Sequence, residues 1–274
     1  MDERVIVDFR ERVWEFYREQ GRDLPWRREV TPYGVFVSEV MLQQTQVSRV
    51  LGHWPRWLER FGSFEALAAA SVAEVVEAWQ GLGYNRRALW LREAAQMVVR
   101  EFGGVLPRDP AELVRLPGIG PNTAGSIAAF AYDEPVVFIE TNIRRVFLHE
   151  FFEDSPALCA SYPDGVPDAV LRPLIEAALD RQHPREWYWA LMDYGADLAK
   201  RVVNPNRRSR HYAVQSTFAG SVRQLRGEVL RRLLDGPKRV RELGIGDERL
   251  PAVLAALVRE GFLIEKGDTF GLAK

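Results

Sequence analysis

One glycine-containing segment constrains the fold more than any other part of the chain: residues 116–127 read LPGIGPNTAGSI. This pattern predicts two helices joined by a tight turn, with the second helix beginning near Asn122. Gly118 and Gly120 can adopt backbone angles that are closed to residues with a Cβ, and they let another backbone approach closely. Amides at the start of the second helix point outward and, with the helix dipole, suit an anion such as phosphate. A helical corner that only packs is the alternative, because Gly-x-Gly by itself is a weak signal.

The composition indicates a globular protein and excludes several classes. The 274 residues suffice for one large or two smaller domains, and 47% of them are hydrophobic. The longest apolar runs, such as 127–132, are too short to cross a bilayer, and the N-terminus lacks the layout of a signal peptide. We therefore expect a cytoplasmic protein without a membrane partner, associated with the nucleoid if prokaryotic. The single cysteine, Cys159, excludes an internal disulfide and a zinc site built on several thiolates.

The charge distribution is uneven although the net charge is only −1. Lys and Arg are concentrated between Lys200 and Arg232, where Glu228 is the one acidic residue. Such a segment indicates either a face that neutralises phosphates or an ordinary solvated surface.

Helical periodicity and capping residues predict most of the secondary structure. We expect helices at 4–20, from Thr31 or Pro32, at 51–61, 64–70, 72–80 and 86–102, from Asp109, and at 168–182 and 185–201. Ser63, Ser71 and Asn85 are the expected N-caps of three of them. Residues 136–140 are expected to be extended, with Thr141 or Asn142 capping the helix that follows.

Five sequence blocks together resemble one family. They are Leu24-Pro25-Trp26, SEVMLQQTQV at 38–47, GLGY at 81–84, the glycine segment followed by IETNIRRV at 139–146, and MDYG at 192–195. The chain resembles the helix-hairpin-helix DNA glycosylases of the endonuclease III superfamily, and the block at 38–47 is most similar to the adenine glycosylase (MutY) branch. The match covers roughly residues 20 to 200 in the right order, which is more specific than any one motif.

The resemblance implies a mainly α, two-lobed helical HhH-GPD glycosylase fold over residues 1–218. Its basic loop, 199–216, lies where the family has four cysteines that hold an iron-sulfur cluster. The matching positions are approximately Ala199, Arg207, Arg210 and Ser216, and none can supply a thiolate, so we expect no cluster. The loop is expected to contact phosphate through Arg207, Arg208 and Arg210.

The tail, residues 219–274, is predicted to be a separate small winged helix-turn-helix. Its apolar stripe runs through Val222, Leu225, Val229, Leu230 and Leu233, and a Gly267-Asp268 turn predicts a hairpin. Acidic residues in the presumed recognition helix leave open whether the tail reads DNA or binds a partner. It does not resemble the Nudix-like C-terminal domain of adenine glycosylases that proofread 8-oxoguanine, which leaves the opposite base open.

Two carboxyl groups suit the breakage of an N-glycosidic bond through a cation-like sugar. The resemblance makes Glu39 the general acid that protonates N7 of a flipped adenine, and its apolar surroundings in sequence predict a raised pKa. Glu140 matches the family's aspartate with one extra methylene, a shift of about 1 Å. Glu140 acting only as a helix cap is the alternative. Asn142 matches a hydrogen-bonding asparagine beside that carboxylate.

Other residues receive roles from the same resemblance. Asn122 stands where family members that also cleave the strand carry a Lys for a Schiff base, so we expect a monofunctional enzyme. Asn122 also leaves the base preference open, and Trp26 is either a base-pocket or a core residue. Gln43 is expected to fill the gap of the flipped base and Tyr84 to wedge beside it; an exposed helix Gln and a Tyr packed against its neighbouring helix are the alternatives. The expected phosphate contacts are Arg86 or Arg87 and the hairpin residues Gly118, Gly120 and Thr123.

The sequence therefore predicts a monofunctional DNA glycosylase of base excision repair. Adenine opposite guanine or 8-oxoguanine is the expected substrate, within double-stranded DNA that carries a mismatch or damaged base. A thymine, uracil (G:T, G:U) or other damaged-base glycosylase and a catalytically silent DNA-binding protein are the alternatives. The family also implies a monomer, no iron-sulfur cofactor, and a monovalent cation on the backbone carbonyls of Val114, Leu116 and Ile119.

Overall fold

The structure is a computed structural model that describes residues 3–153 and 161–273. The described chain is mainly helical, which confirms the predicted fold class. Its α-helices are α1 (Glu3–Gln20), α2 (Pro25–Arg28), α3 (Pro32–Leu42), α4 (Val47–Arg60), α5 (Phe64–Ala69), α6 (Val72–Ala78), α7 (Arg86–Phe102), α8 (Pro110–Leu113), α9 (Pro121–Tyr132), α10 (Thr141–Phe152), α11 (Asp168–Ala178), α12 (Pro184–Arg201), α13 (Val222–Arg232) and α14 (Leu250–Arg259). Within these ranges, no helix is both long and apolar enough to cross a bilayer.

Local signals in the sequence determine many helix boundaries. The hydroxyls of Ser63 and Ser71 cap α5 and α6. The Glu74 carboxylate in turn accepts the backbone N–H of Ser71, which completes a capping box. Asn85 precedes α7 as predicted, but its side chain makes no capping hydrogen bond. The expected cap of α10 was wrong by one residue, because Glu140 occupies that position. Cys159 lies outside the described residues.

The contacts divide the chain into two compact units. Unit 1 comprises Met1–Val35, Arg108–Pro110 and Gly120–Val214, and unit 2 comprises Phe36–Pro107, Ala111–Ile119 and Gln215–Lys274. The tail thus belongs to the same unit as α4 to α7. The expected division into domains at 1–218 and 219–274 stays a prediction.

The core of unit 1 is rich in aromatic side chains. Phe9 of α1 is fully buried and meets Phe147 of α10 and Trp187 of α12 edge to face, with ring centroids 5.3 and 6.0 Å apart. Edge-to-face pairs of this kind stabilise beyond their buried area. They hold α1, α10 and α12 together.

Unit 2 has a core that continues into its tail. Val72, Val76 and Leu89, from α6 and α7, are buried in one cluster with Leu225, Val229 and Leu230 of α13. Burial of a Val or Leu side chain contributes about 1.5–3 kcal/mol. The apolar face of α13 is therefore held against α6 and α7. Val222, which was expected on that face, is 47% exposed.

The tail also contains a small antiparallel sheet in the order β1 (Lys238–Arg239), β3 (Thr269–Leu272) and β2 (Leu263–Lys266). β2 and β3 form the predicted hairpin, with Leu263 opposite Leu272 and Lys266 opposite Thr269. Helix α14 precedes the hairpin, and a 3-10 turn at Val240–Leu243 follows β1. These elements are compatible with a winged helix-turn-helix, an interpretation that stays a prediction.

Candidate active site

Glu140 stands at the N-terminus of α10 in unit 1. Its side chain accepts a hydrogen bond from the backbone N–H of Asn142 at 3.1 Å, so it is the N-cap of the helix. Burial raises the pKa of Glu140. The bonds from Asn142 and the charges of Arg144 and Arg145 act in the opposite direction.

Asn142 is held by the neighbouring turn of α10. The Arg145 guanidinium donates to Asn142 Oδ1 and to the carbonyl of Gly195, both at 2.7 Å. Because Oδ1 is engaged, the amide nitrogen faces the other way, toward Met192 Sδ at 3.9 Å. A Cβ on Gly195 would lie 2.5 Å from the Asn142 carbonyl oxygen, so glycine is required there. The MDYG block thus supports the residues next to Glu140.

A buried carboxylate fixes the turn that carries Trp26. Asp193 of α12 is 2% exposed and accepts bonds from the backbone N–H and Nε of Arg22 and from both terminal nitrogens of Arg27. Arg27 also lies over the ring of Trp189, 5.3 Å from its centroid. Trp26 itself is buried. Its position in α2 is therefore well defined, and both the pocket and the core interpretation are compatible with it.

Asn122 lies in the first turn of α9 and is exposed. Its Oδ1 accepts the backbone N–H of Ile139 at 3.2 Å, which connects α9 to the segment leading into Glu140. Residues 133–140 form no helix or strand, and Glu140, at the end of the segment 136–140 that was expected to be extended, has an extended backbone with a φ of −117°. Thr123 follows in the same turn and is half-buried.

The basic loop has its own anchors in unit 1. Asn206 and Ser209 are buried, and the Asn206 amide donates to the Thr141 carbonyl at 3.1 Å. Val166 exchanges backbone bonds with Arg208 and Arg210 at 2.7 and 3.1 Å. Arg207 and Arg210 remain exposed, and Arg208 is half-buried. In the described part of the chain, no three His, Cys, Asp or Glu side chains are grouped to hold a metal.

Glu39 lies on α3 in unit 2, between the buried residues Ser38 and Val40, and is half-buried. Glu39 and Glu140 thus belong to different units. Gln43 follows at the end of α3 and donates to the Gly118 carbonyl at 3.2 Å, which ties this turn to the hairpin.

Arg87 has a different role from the predicted one. It is 4% exposed, too buried to reach a phosphate. Its guanidinium donates to six oxygens, those of the Val40, Met41, Gln43, Leu82 and Gly83 carbonyls and of the Thr45 hydroxyl. Burial lowers the pKa of Arg87 to about 10, which leaves it charged at neutral pH. Arg87 braces the end of α3 against the loop at 81–84. The prediction that Arg87 binds phosphate is therefore wrong.

The loop at 81–84 is held in an unusual conformation. Tyr84 has a φ of 47°, a left-handed conformation that side chains with a Cβ rarely adopt. The Trp79 indole donates to the Gly83 carbonyl at 3.0 Å. Arg86 is 43% exposed and pairs with Glu260 of the tail at 3.1 Å, so it is not a free cation.

The hairpin has the expected turn. Gly118 has a φ of 77°, and a Cβ there would lie 2.9 Å from the Trp90 Cβ. Gly120 has a φ of −89°, which any residue can adopt. The prediction that Gly120 needs a backbone angle reserved for glycine is therefore wrong. Open space surrounds the position of its missing Cβ, which suits close approach of a phosphate. The Leu116 carbonyl accepts the Ile119 N–H at 3.1 Å, and its second lone pair is compatible with the expected cation.

Sequence reasoning overlooked three supporting residues: Arg87 as a brace, Asp193 and Arg145. Asp193 and Arg145 lie inside blocks that the resemblance singled out, and Asp193 directly follows the apolar run 187–192. That pattern is the available signal, because a buried charge needs partners.

Comparisons with known proteins agree with this arrangement. The family of HhH-GPD superfamily base excision DNA repair proteins matches residues 37–156. The adenine DNA glycosylase of Mycobacterium tuberculosis is 42% identical over 197 residues, 71% of this chain and 62% of the relative. The enzyme of Mycolicibacterium smegmatis is 50% identical over 132 residues, 48% of this chain and 45% of the relative. The chain thus spans less than two thirds of the length of these relatives.

Solved structures show the fold. A thermostable thymine-DNA glycosylase superposes with a TM-score of 0.61 at 23% identity, covering 70% of this chain and 87% of that one. A trapped endonuclease III-DNA covalent intermediate gives 0.57 at 18% identity, covering 81% and 92%. The chain therefore belongs to the HhH-GPD superfamily of base excision DNA repair proteins, has an endonuclease III-like fold and is homologous to adenine DNA glycosylases.

Proposed function

We propose that this protein is a monofunctional DNA glycosylase that removes adenine mispaired with guanine or 8-oxoguanine. The observation that carries the proposal is the site at the start of α10, where the half-buried Glu140 carboxylate accepts the Asn142 N–H and lies within the electrostatic influence of Arg144 and Arg145. Homology to adenine DNA glycosylases supports the choice of base.

In the proposed reaction, the bond between C1′ of the sugar and N9 of the flipped adenine breaks, and its electron pair leaves with the base. Glu39 donates a proton to N7, which makes adenine a better leaving group. Water then adds to C1′ and loses a proton, so the products are free adenine and an abasic site.

Glu140 acts as the ionised partner in this proposal. Its carboxylate stabilises the positive charge that develops on the sugar, or attacks C1′ to form a transient covalent intermediate. The N-terminus of α10, Arg144 and Arg145 favour the ionised form against burial. Arg145 orients the Asn142 amide beside it.

The reaction stops at the abasic site because Asn122 has no amine to form a Schiff base. The proposed partner is double-stranded DNA, bound as a monomer through the hairpin amides at 118–123 and the basic loop. The proposed setting is the cytoplasm, with no iron-sulfur cluster and with a monovalent cation at the hairpin carbonyls.

Single-turnover assays on matched duplexes test the proposal. The duplexes carry A:8-oxoG, A:G, T:G, U:G or hypoxanthine, and each product is divided between alkali-treated and untreated samples. We expect alkali-dependent cleavage at A:8-oxoG and A:G. If only thymine or uracil is excised, the protein is a thymine or uracil glycosylase and the adenine assignment fails. If no duplex yields an abasic site, the protein is a catalytically silent DNA-binding protein.

Two variants test the roles of the carboxyl groups. Glu39→Gln and Glu140→Gln should each lower the excision rate at least 100-fold, the lower range for a positioned acid or base. Folded, fully active Glu140→Gln would remove that residue from the mechanism. Cleavage of the strand without alkali would contradict the monofunctional assignment.

A further inference from the structure

Arg223, in the first turn of α13, contacts the loop that is expected to probe DNA. Its guanidinium donates to the Tyr84 hydroxyl and lies over the Tyr84 ring, 4.9 Å from the centroid. The second terminal nitrogen donates to the Ser216 carbonyl at 2.6 Å, which fixes the Arg223 side chain. Contact with both the hydroxyl and the face of the ring defines the ring's orientation.

Tyr84 needs such support because its backbone is strained. A left-handed φ of 47° is unfavourable in a residue with a Cβ and persists only where surrounding contacts hold it. Arg87 supplies one side of that support, with its guanidinium 5.6 Å from the ring centroid. Arg223 supplies the other contact, and it comes from the tail.

The tail is firmly attached at this place. Leu225 and Val229 of α13 share a core with Val72, Val76 and Leu89. Burial would raise the pKa of Glu260, but its bonds with Arg226 and Arg86 outweigh burial and lower it. The bidentate pair of Arg226 with Glu260 has distances of 2.9 and 2.6 Å.

We propose that Arg223 is a positioning residue for Tyr84, through which the tail takes part in lesion recognition without contacting a base. The inference rests on the proposed function. Arg223 holds the Tyr84 ring ready to enter the base stack, so the ordering of this side chain is complete before DNA binds. Preorganisation of this kind raises the rate of the step in which the lesion is recognised.

A double-mutant cycle tests the proposal. Arg223→Ala, Tyr84→Ala and the double variant are compared in single-turnover excision on the best substrate of the wild-type protein. The matched control is Arg231→Ala, since Arg231 lies on the same helix, is 61% exposed and pairs with Glu228. We expect about a tenfold loss of rate for Arg223→Ala, none for the control, and no further loss when Arg223→Ala is added to Tyr84→Ala.

Two further measurements distinguish positioning from other roles. Fluorescence of 2-aminopurine beside the lesion should rise on binding wild-type protein and rise less with Arg223→Ala, because the base stack opens less. The slope of log affinity against log salt should stay unchanged in Arg223→Ala, whereas a phosphate contact would reduce it by about 1.

The outcomes separate this inference from the proposed function. An inactive wild-type protein overturns the proposed function. An active wild-type protein whose Arg223 and Tyr84 effects are additive, or whose Arg223→Ala is fully active, overturns the inference alone. A salt slope reduced by about 1 also overturns it, because Arg223 would then bind phosphate directly.

Discussion

Replacement of Arg87 by Met tests the brace in unit 2. Met keeps most of the apolar stem and removes the guanidinium, which serves six oxygens. Three of those bonds, to the carbonyls of Val40, Met41 and Leu82, are buried. The Leu82 carbonyl keeps the Thr45 hydroxyl as a donor at 3.5 Å. Each buried acceptor left without a donor costs about 1–3 kcal/mol, so the Val40 and Met41 carbonyls together cost about 2–6 kcal/mol.

Removal of a buried charge offsets part of this loss. Arg87 is 4% exposed, so its charge is poorly solvated in the folded protein, and this burial lowers its pKa to about 10. We therefore expect Arg87→Met to lower the free energy of unfolding by about 2–4 kcal/mol. For a chain of this size, that loss corresponds to a Tm lower by roughly 4–16 °C.

Urea denaturation measures this change, and Arg100→Met is the matched control. Arg100 lies on the same helix, is 69% exposed and pairs with Glu101 at the surface. Its replacement should change stability by less than about 0.5 kcal/mol. If Arg87→Met unfolds within about 1 kcal/mol of the wild-type protein, the six bonds do not stabilise the fold as argued.

Three other predictions concern the site in unit 1. Gly195→Ala should lower stability by about 1–3 kcal/mol and also slow excision, because its Cβ would collide with the Asn142 carbonyl; calorimetry and excision assays check both. Asn122→Lys should produce some strand cleavage without alkali, trapped by borohydride, because it adds an amine at the first turn of α9. Burial raises the pKa of Glu140, so the folded protein favours the protonated carboxyl group. The stability that this group contributes is fully present below about pH 4.3 and is lost as pH rises through the raised pKa. Glu140→Gln should therefore raise the Tm at pH 7 but not at pH 4.

Periodic burial made much of the fold predictable. One helical face must be buried, so an apolar stripe predicts α1; the stripe consists of Ile6, Phe9, Val13, Phe16 and Tyr17, of which the first three are buried and the last two half-buried. The boundaries of α5 and α6 follow from Ser63 and Ser71, whose hydroxyls satisfy the first free amides. These signals are local, so a sequence without coordinates contains them.

Structural roles that depend on residues far apart in sequence were not predictable. Arg86 and Arg87 are adjacent, yet they point about 100° apart on a helix, so one is buried and the other pairs with Glu260. Strand β1 has two residues, and its pairing with Phe270 has no local pattern. Arg223 reaches Tyr84 across 139 positions of sequence. In each case, tertiary contacts decide the role of a residue whose type alone permits several.

The two interpretations of Glu140, helix cap and reacting carboxylate, are physically compatible. The first amides of α10 and its dipole favour a negative charge at the N-cap, so the capping bond to the Asn142 amide also favours the ionised carboxylate. A single substitution separates the two roles. Serine is a better N-cap than most residues but carries no charge, so Glu140→Ser should keep the stability of the wild-type protein within about 1 kcal/mol. If Glu140 stabilises the sugar cation, this folded variant should lose excision at least 100-fold; if excision persists, Glu140 is a cap alone.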